Sequence, residues 1–329
     1  MNRISRVSLG RLPVALLLAA GLLFPGFASA AEKLVYLFPA PSFLPAFAPF
    51  MLAKANGYYV AEGLDVEFVV GKGGADVAKQ VGAGNADLGG GIGDTPVIVR
   101  ANGVPVKSVA VLGGRALTQL VVRADSGLKG PADLKGKTVA VMSYQDTTFY
   151  ALLGALASAR LTKDDVSIQA VGSAGVPKLL ITGDAQAAAA VPEWGAAVED
   201  AGVGLQWFSM DEYFPGMAQA ILASDATIAN RPKVVRGFVR ATLKGMAEIM
   251  KDPKAAAKAY IAAVPQHAGK DASIEKILRY YAEKVYPGQA VLGEMDEARL
   301  ARLQDFYLKE GVVRTKLPLA DLYTNEFVR

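Results

Sequence analysis

KLVYLF, LDVEFVV, ADLGGG and VPVKSVAVL are apolar runs of strand length, each separated from the next by a stretch with helical character. The first such stretch, LPAFAPFMLAKAN, stops at Gly57; GADVAKQVGAG and TPVIVRAN follow, the latter with Gly103 just past its end. Strand–helix–strand alternation of this kind calls for a parallel or mixed sheet with helices on both faces. The rhythm starts again near Thr118 through TQLVVRA, KTVAV, VSIQAV and AQAAAAVP, and from about Pro232 the pattern turns almost wholly helical. Two α/β series without a polar linker, in a chain 52% apolar and 20% charged, are expected to form two lobes rather than one oversized core. LTQLVVRA and GMAQAILAS are the best candidates for the strands that cross between them. The expected division is a secretory segment over 1–30, the first part of lobe 1 over 31–120, lobe 2 over 121–222, and a return to lobe 1 with C-terminal helices over 223–329.

The secretory expectation rests on Arg3, Arg6 and Arg11 before the apolar run Leu12–Phe24, followed by Ala28-Ser29-Ala30, with cleavage after Ala30. That run is short of the roughly 20 residues a spanning helix needs. The formal charge of +4 includes those three arginines and falls to +1 without them, so charge offers no reason to expect a nucleic-acid partner. With no cysteine there is no disulfide, thiolate metal site, cysteine nucleophile or lipidated cysteine tether, and a soluble mature chain is expected.

In open α/β sheets, ligands sit beyond the carboxyl ends of strands, so the strand-to-helix turns are the informative residues. Here they are PAPSF with Ser42 and Phe43, GKGGAD, GGIGDTP, SYQDTTFY, SAGVP and PEWG. Two share one grammar, an Asp-Thr pair where a helix starts: Asp94-Thr95 and Asp146-Thr147-Thr148. At the first, Thr95 as cap with Pro96 opening the helix leaves Asp94 free to point into a cleft; the alternative makes Asp94 itself the cap. Asp146, Thr147 and Thr148 carry the same double reading. Tyr144 and Trp194 stand among polar neighbours, Gln145, Asp146 and Glu193, and so are candidates for ring contacts with a planar, hydrogen-bond-donating ligand, although a core position for Trp194 is an equal alternative.

A search for catalysis returns little. The single histidine, His267, lies in VPQHAGK, a polar break between helices, and reads as a surface-loop residue. No nucleophile elbow, HExxH or Gly-Lys-Ser phosphate loop occurs, and no metal or cofactor is expected. LGGGIGDTP, for all its glycines, has Asp94 where a dinucleotide fingerprint needs glycine. Its glycines are expected to let the backbone turn tightly and approach a ligand closely. Lys233, Arg236, Arg240 and Lys244 share one face of the long helix after Pro232, a solvated face by default and a docking face for a membrane partner as the alternative.

Taken together, FPAPSFLPAFAPFMLAKANGYYVAEGLDVEFV, GADVAKQVGAGNADLGGGIGDTP, LKGPADLKGKTVAV and VPEW resemble the periplasmic substrate-binding proteins of ABC importers, over roughly Lys33 to Asp225. The resemblance is to the branch that binds nitrate, sulfonates, taurine and thiamine-pyrimidine precursors. It implies a two-lobed α/β, type II-like periplasmic-binding-protein fold with two crossing strands and a helical C-terminal part, located in the periplasm. It also implies a small-molecule ligand between the lobes and delivery to a permease in the inner membrane; a monomer is expected. Family ligand contacts in the turns after strands map onto Ser42, Phe43, Asp94, Thr95, Tyr144 to Thr148, Glu193 and Trp194. An enzyme on the same fold, a thiamine-pyrimidine synthase, is the alternative, but it relies on a histidine and a cysteine-rich segment that this chain does not match. Hydroxyls at Thr95, Thr147 and Thr148 suit a sulfonate or nitrate, whereas the acids at Asp94, Asp146 and Glu193 favour an aromatic or heterocyclic solute. Arg115 or Arg123 would tip the balance toward an anion if either reached the cleft.

Overall fold

The computed structural model describes Met1, residues 31–144 and residues 146–329. The expected export segment with its cleavage site, and Gln145, lie outside the described residues. From Ala31 to Arg329 the chain is one compact unit built on two five-stranded mixed sheets. The first holds β1 (Glu32–Phe38), β2 (Leu64–Val70), β3 (Leu88–Ile92), β4 (Val106–Val111) and β10 (Gln219–Ser224). Its order is β2-β1-β3-β10-β4. The second holds β5 (Gln119–Arg123), β6 (Thr138–Val141), β7 (Ser167–Ala170), β8 (Ala187–Ala190) and β9 (Leu205–Phe208). Its order is β7-β6-β8-β5-β9.

The two sheets exchange a strand. β10 runs antiparallel between β3 and β4, and β5 runs antiparallel between β8 and β9. LTQLVVRA and GMAQAILAS therefore contain the exchanged strands, and the passages between sheets are the residues just before them, 112–118 and 209–218. Each exchanged strand is flanked on both sides, and its apolar run is buried accordingly: Leu120, Val121 and Val122 in one, Ala220 to Ala223 in the other.

Three of the four glycines of LGGGIGDTP, Gly89, Gly90 and Gly91, sit in β3, Gly93 follows it, and none of the four has a left-handed φ. The expected tight turn is corrected: these residues serve close packing. A Cβ on Gly89 would stand 2.4 Å from Val77 Cγ1, on Gly90 2.7 Å from Pro39 Cδ, and on Gly91 2.8 Å from Thr95 Oγ1. The missing side chains let the Gly74–Gly82 helix and the β1 turn settle directly onto the strand.

The C-terminal helices touch both lobes. The helix Pro232–Lys251 lays Phe238 between Tyr36 and Tyr59 of the first lobe, with ring centroids 4.9 and 5.0 Å away. Three of its four stripe cations are engaged within the chain: Arg240 pairs with Glu62 at 2.7 Å, Arg236 donates to the Glu326 carbonyl, and Lys244 lies 3.8 Å from the Tyr58 ring centre. The helix Asp271–Tyr280 crosses to the second lobe, where Ser273 donates to Asp200 at 2.6 Å, Lys276 pairs with Glu199, and Tyr280 packs on Trp207. It continues as a π-helical turn, Tyr281–Val285, a local widening that often marks functional positions.

His267 is not a surface residue. It is 8% exposed, at the end of a short 3-10 turn, with Nε2 2.6 Å from the Phe43 carbonyl. The polar flanks of VPQHAGK face water while the ring turns inward to satisfy a loop carbonyl that no strand partner reaches.

Candidate functional site

The carboxyl ends of β1, β2 and β3 meet those of β6 and β8 across a cleft enclosing about 820 Å³ of non-atom space, open solvent at its mouth included. One wall is Pro39, Leu44 and Phe47 from the turn after β1, with the Gly73–Ala75 backbone and Thr95 beside it. The other is Met142, Asp146, Thr147, Thr148, Tyr150, Glu193 and Trp194. Leu117 and Gln219, from the first interlobe passage and the start of β10, form the floor. Aliphatic and aromatic surface dominates, interrupted by two carboxylates and a few hydroxyls. Among the described lining residues there is no lysine or arginine.

The cleft acids are held by their local structure. Asp146 caps the helix Thr147–Ser158, accepting from the Thr148 amide at 2.9 Å and the Thr148 hydroxyl at 2.8 Å. The same hydroxyl accepts from the Met142 amide at 3.1 Å, so the one O–H donor of Thr148 is spent on Asp146. Burial raises the Asp146 carboxyl above the usual range, against the pull of the Thr148 bonds. Glu193, 8% exposed in the first turn of the helix Pro192–Asp200, accepts from the Tyr281 hydroxyl at 2.8 Å. Burial raises its pKa too, opposed by its own amide, by Tyr281 and by the Ala46 amide of the facing lobe.

Asp94 occupies the N-cap position, as the alternative reading had it, but does not cap through its side chain. It precedes the helix Thr95–Arg100 without a side-chain bond to it, and Thr95 instead accepts from the Ile92 amide behind it at 2.9 Å. The Asp94 carboxylate is 2% exposed and takes the Tyr307 hydroxyl on Oδ2, while Oδ1 makes no hydrogen bond to another residue. Burial pushes its pKa up to about 6, countered by Tyr307 and its own amide, with the Asp146 charge adding to the rise. It lines a smaller chamber behind the cleft rather than the cleft itself.

Of the residues singled out from sequence, Thr95, Asp146, Thr147, Thr148, Glu193 and Trp194 converge on the cleft. Trp194 is both a lining ring and part of the second lobe's core. Ser42 and Phe43 stand outside the lining; Phe43 is 39% exposed and contributes its carbonyl to Tyr260 and His267. Tyr144 is 53% exposed, turned outward with its hydroxyl on the Ile168 carbonyl at 3.0 Å. Neither arginine reaches the cleft: Arg115 is exposed, and Arg123 binds Asp125 and the Leu180 carbonyl. The lining residues absent from the sequence reading are chiefly Leu44, Phe47, Met142 and Tyr150. Tyr150 is within reach of the same reasoning, since it closely follows Thr148 at the start of one helix.

Comparison with known proteins comes to the same architecture. Residues 44–256 match the family described as NMT1/THI5 like. The riboflavin-binding protein RibY of Chloroflexus aurantiacus is 27% identical over 297 residues, covering 88% of this chain and 85% of that protein. The alkanesulfonate-binding protein SsuA of Xanthomonas axonopodis pv. citri, solved with MOPS, superposes with a TM-score of 0.71 at 20% identity, over 90% of this chain and all of that one. The desulfurization enzyme DSZB superposes with a TM-score of 0.57 at 18% identity, over 90% and 97%. Both structures share the fold, one as a binder and one as an enzyme.

Proposed function

The chain belongs to the NMT1/THI5-like family, and we propose on that premise that it is the extracytoplasmic solute-binding component of an ABC importer. Its solute is an uncharged aromatic or heterocyclic compound held between the lobes and handed to a permease. The observation that carries this reading is the lining: a half-buried carboxylate at Asp146 and a buried one at Glu193, rings at Tyr150 and Trp194, and no cation among the described lining residues. An anion brought into such a low-dielectric space would meet like charge without compensation. A flat ring carrying N–H or O–H groups meets acceptors and apolar walls instead. RibY, named for riboflavin binding, points to the same chemical class.

Of the hydroxyls that would favour a sulfonate or nitrate, Thr148 has its O–H committed to Asp146, while Thr95 accepts from the Ile92 amide and keeps its own O–H. The fold also serves an enzyme, so fold alone does not decide the class. Binding is favoured over catalysis here because His267 is spent on the Phe43 carbonyl and does not line the cleft.

A thermal-shift screen of residues 31–329 against riboflavin, lumichrome, aminopyrimidines, taurine and nitrate tests the reading. A heterocycle at about 100 times its Kd is expected to add about 2.7 kcal/mol and raise the melting temperature. A shift with taurine or nitrate and with none of the rings would refute it. Turnover of a bound compound would favour the enzyme.

A further inference from the structure

The π-helical turn Tyr281–Val285 meets the cleft wall at one end and an interlobe passage at the other. At its start, the Tyr281 hydroxyl donates to Glu193 at 2.8 Å. The Tyr286 amide closes the turn by donating to the Tyr281 carbonyl at 2.9 Å. At its far end, the carbonyls of Val285 and Tyr286 accept from the amides of Arg115 and Gly114, at 3.1 and 3.3 Å. Two glycines let the passage lie flat on this backbone. A Cβ on Gly113 would stand 2.4 Å from the Val285 carbonyl oxygen, and one on Gly114 2.7 Å from that of Pro287. A movement of residues 112–118 therefore carries the end of the turn with it, because packed backbones without a gap shift together.

Tyr286 is the odd member of this turn. Its ring packs on that of Tyr281 with centroids 5.5 Å apart, yet its hydroxyl is buried with no hydrogen-bond partner among the described residues. Burial first and the Glu193 charge next raise its pKa, so the idle phenol lies near the same carboxylate that Tyr281 serves. Tyr260, a third phenol that feels this charge, is spent on the Phe43 carbonyl at 2.5 Å. Leaving a buried hydroxyl unpaired is costly. Exchanging Tyr281 for Tyr286 at Glu193 leaves one phenol bonded and one idle as before, so two arrangements of similar hydrogen bonding are open to the turn.

We infer that the turn is a two-state donor switch: Glu193 takes its phenol hydrogen from Tyr281 in the arrangement seen here and from Tyr286 in a second, reached when the passage shifts the end of the turn. Tyr281 and Tyr286 are then positioning residues that tie the cleft acid to the hinge, and the lobe separation selects which of them is engaged. A solute that touches Glu193 favours the arrangement that holds the carboxylate toward it, and so biases the separation. The inference rests on the solute-binding reading only in taking the lobes to move relative to each other.

The test needs no ligand. The chain has no cysteine, so spin labels at Lys79→Cys on the first lobe and Lys178→Cys on the second, both exposed positions, report the interlobe distance by pulsed electron paramagnetic resonance. The labelled, ligand-free protein is expected to show one major and one minor separation. Tyr281→Phe is expected to enrich the minor one at least about tenfold and Tyr286→Phe to deplete it at least about tenfold, since each removes the donor of one arrangement only. In a Glu193→Ala background both effects are expected to vanish, because neither phenol then has a carboxylate to serve. Shifts in the same direction, no shift in either variant, or shifts that persist without Glu193 would overturn the switch. Where circular dichroism shows that Tyr281→Phe does not fold, Tyr286→Phe with and without Glu193 decides alone. A single separation in every variant also overturns the switch, and it leaves the solute-binding reading to the thermal-shift screen, so the two fail independently.

Discussion

Tyr281, from the π-helical turn of the C-terminal part, donates its hydroxyl hydrogen to Glu193 on the cleft wall of the second lobe, 2.8 Å away. Tyr307 serves Asp94 of the first lobe in the same way. Each lobe thus presents a buried acid whose partner comes from far along the chain. Replacing Tyr281 by Phe removes the donor and leaves a buried carboxylate short of one bond. A loss of about 1–3 kcal/mol is expected in urea denaturation, with the Glu193 carboxyl rising further. An unchanged midpoint would show that the Ala46 and Glu193 amides suffice.

The pH dependence of stability follows from Asp94. Its folded pKa, about 6 against an ordinary 3.8, is raised by burial, so the native state holds a proton that the unfolded state releases. Its contribution is fully favourable below about pH 4 and is lost as pH rises through 6. The gap between the folded and unfolded values is worth at most about 3 kcal/mol. Asp94→Asn is expected to gain on the wild type between pH 4 and pH 7, read as the difference in denaturation free energy across that range. A flat difference would mean the carboxylate is ionised at no cost.

Arg299 ties the interlobe passages together. It bonds the Gly216 carbonyl, the Gly114 carbonyl at 3.2 Å and Asp211, which in turn accepts from the Ala116 amide at 3.1 Å. Arg299→Met removes the bonds to both carbonyls and to Asp211 while keeping most of the stem, and leaves the Ala116–Asp211 bond in place. A destabilisation of about 1–3 kcal/mol is expected, with a wider spread of ligand-free conformations in small-angle scattering. A scattering profile identical to wild type would confine Arg299 to a local role.

Gly89→Ala should cost about 1–3 kcal/mol, because the new methyl meets Val77 and Val81 at 2.4 and 2.9 Å in a packed interior. Gly84→Ala, at a site with nothing within 4 Å but a φ of +79°, separates backbone strain from crowding. A Gly89 variant as stable as wild type would contradict the packing role of β3.

The sheet rhythm, the strand exchange and much of the cleft wall are legible in the sequence because they rest on local patterns: apolar runs, helix starts and the turns between them. Asp146, Glu193 and Trp194 stand out because each follows a strand end. What the sequence hides is long-range. Nothing near Asp94 announces Tyr307, nor near Glu193 announces Tyr281, since those pairings depend on how the C-terminal helices cross both lobes. His267 is hidden for the same reason: its flanks are polar, and only the fold brings the Phe43 carbonyl beneath it. Tyr144 looks inward by its neighbours, yet the turn aims it outward to the Ile168 carbonyl.

The most direct measurement is a calorimetric titration of residues 31–329 at neutral pH with riboflavin, lumichrome and an aminopyrimidine, and separately with an alkanesulfonate. Saturable one-to-one binding of at least one ring compound, weakened at least about tenfold by Glu193→Ala, and no heat from the sulfonate, is the expected result. Tight sulfonate binding with none of the rings engaged would contradict a cleft built from carboxylates and aromatic walls.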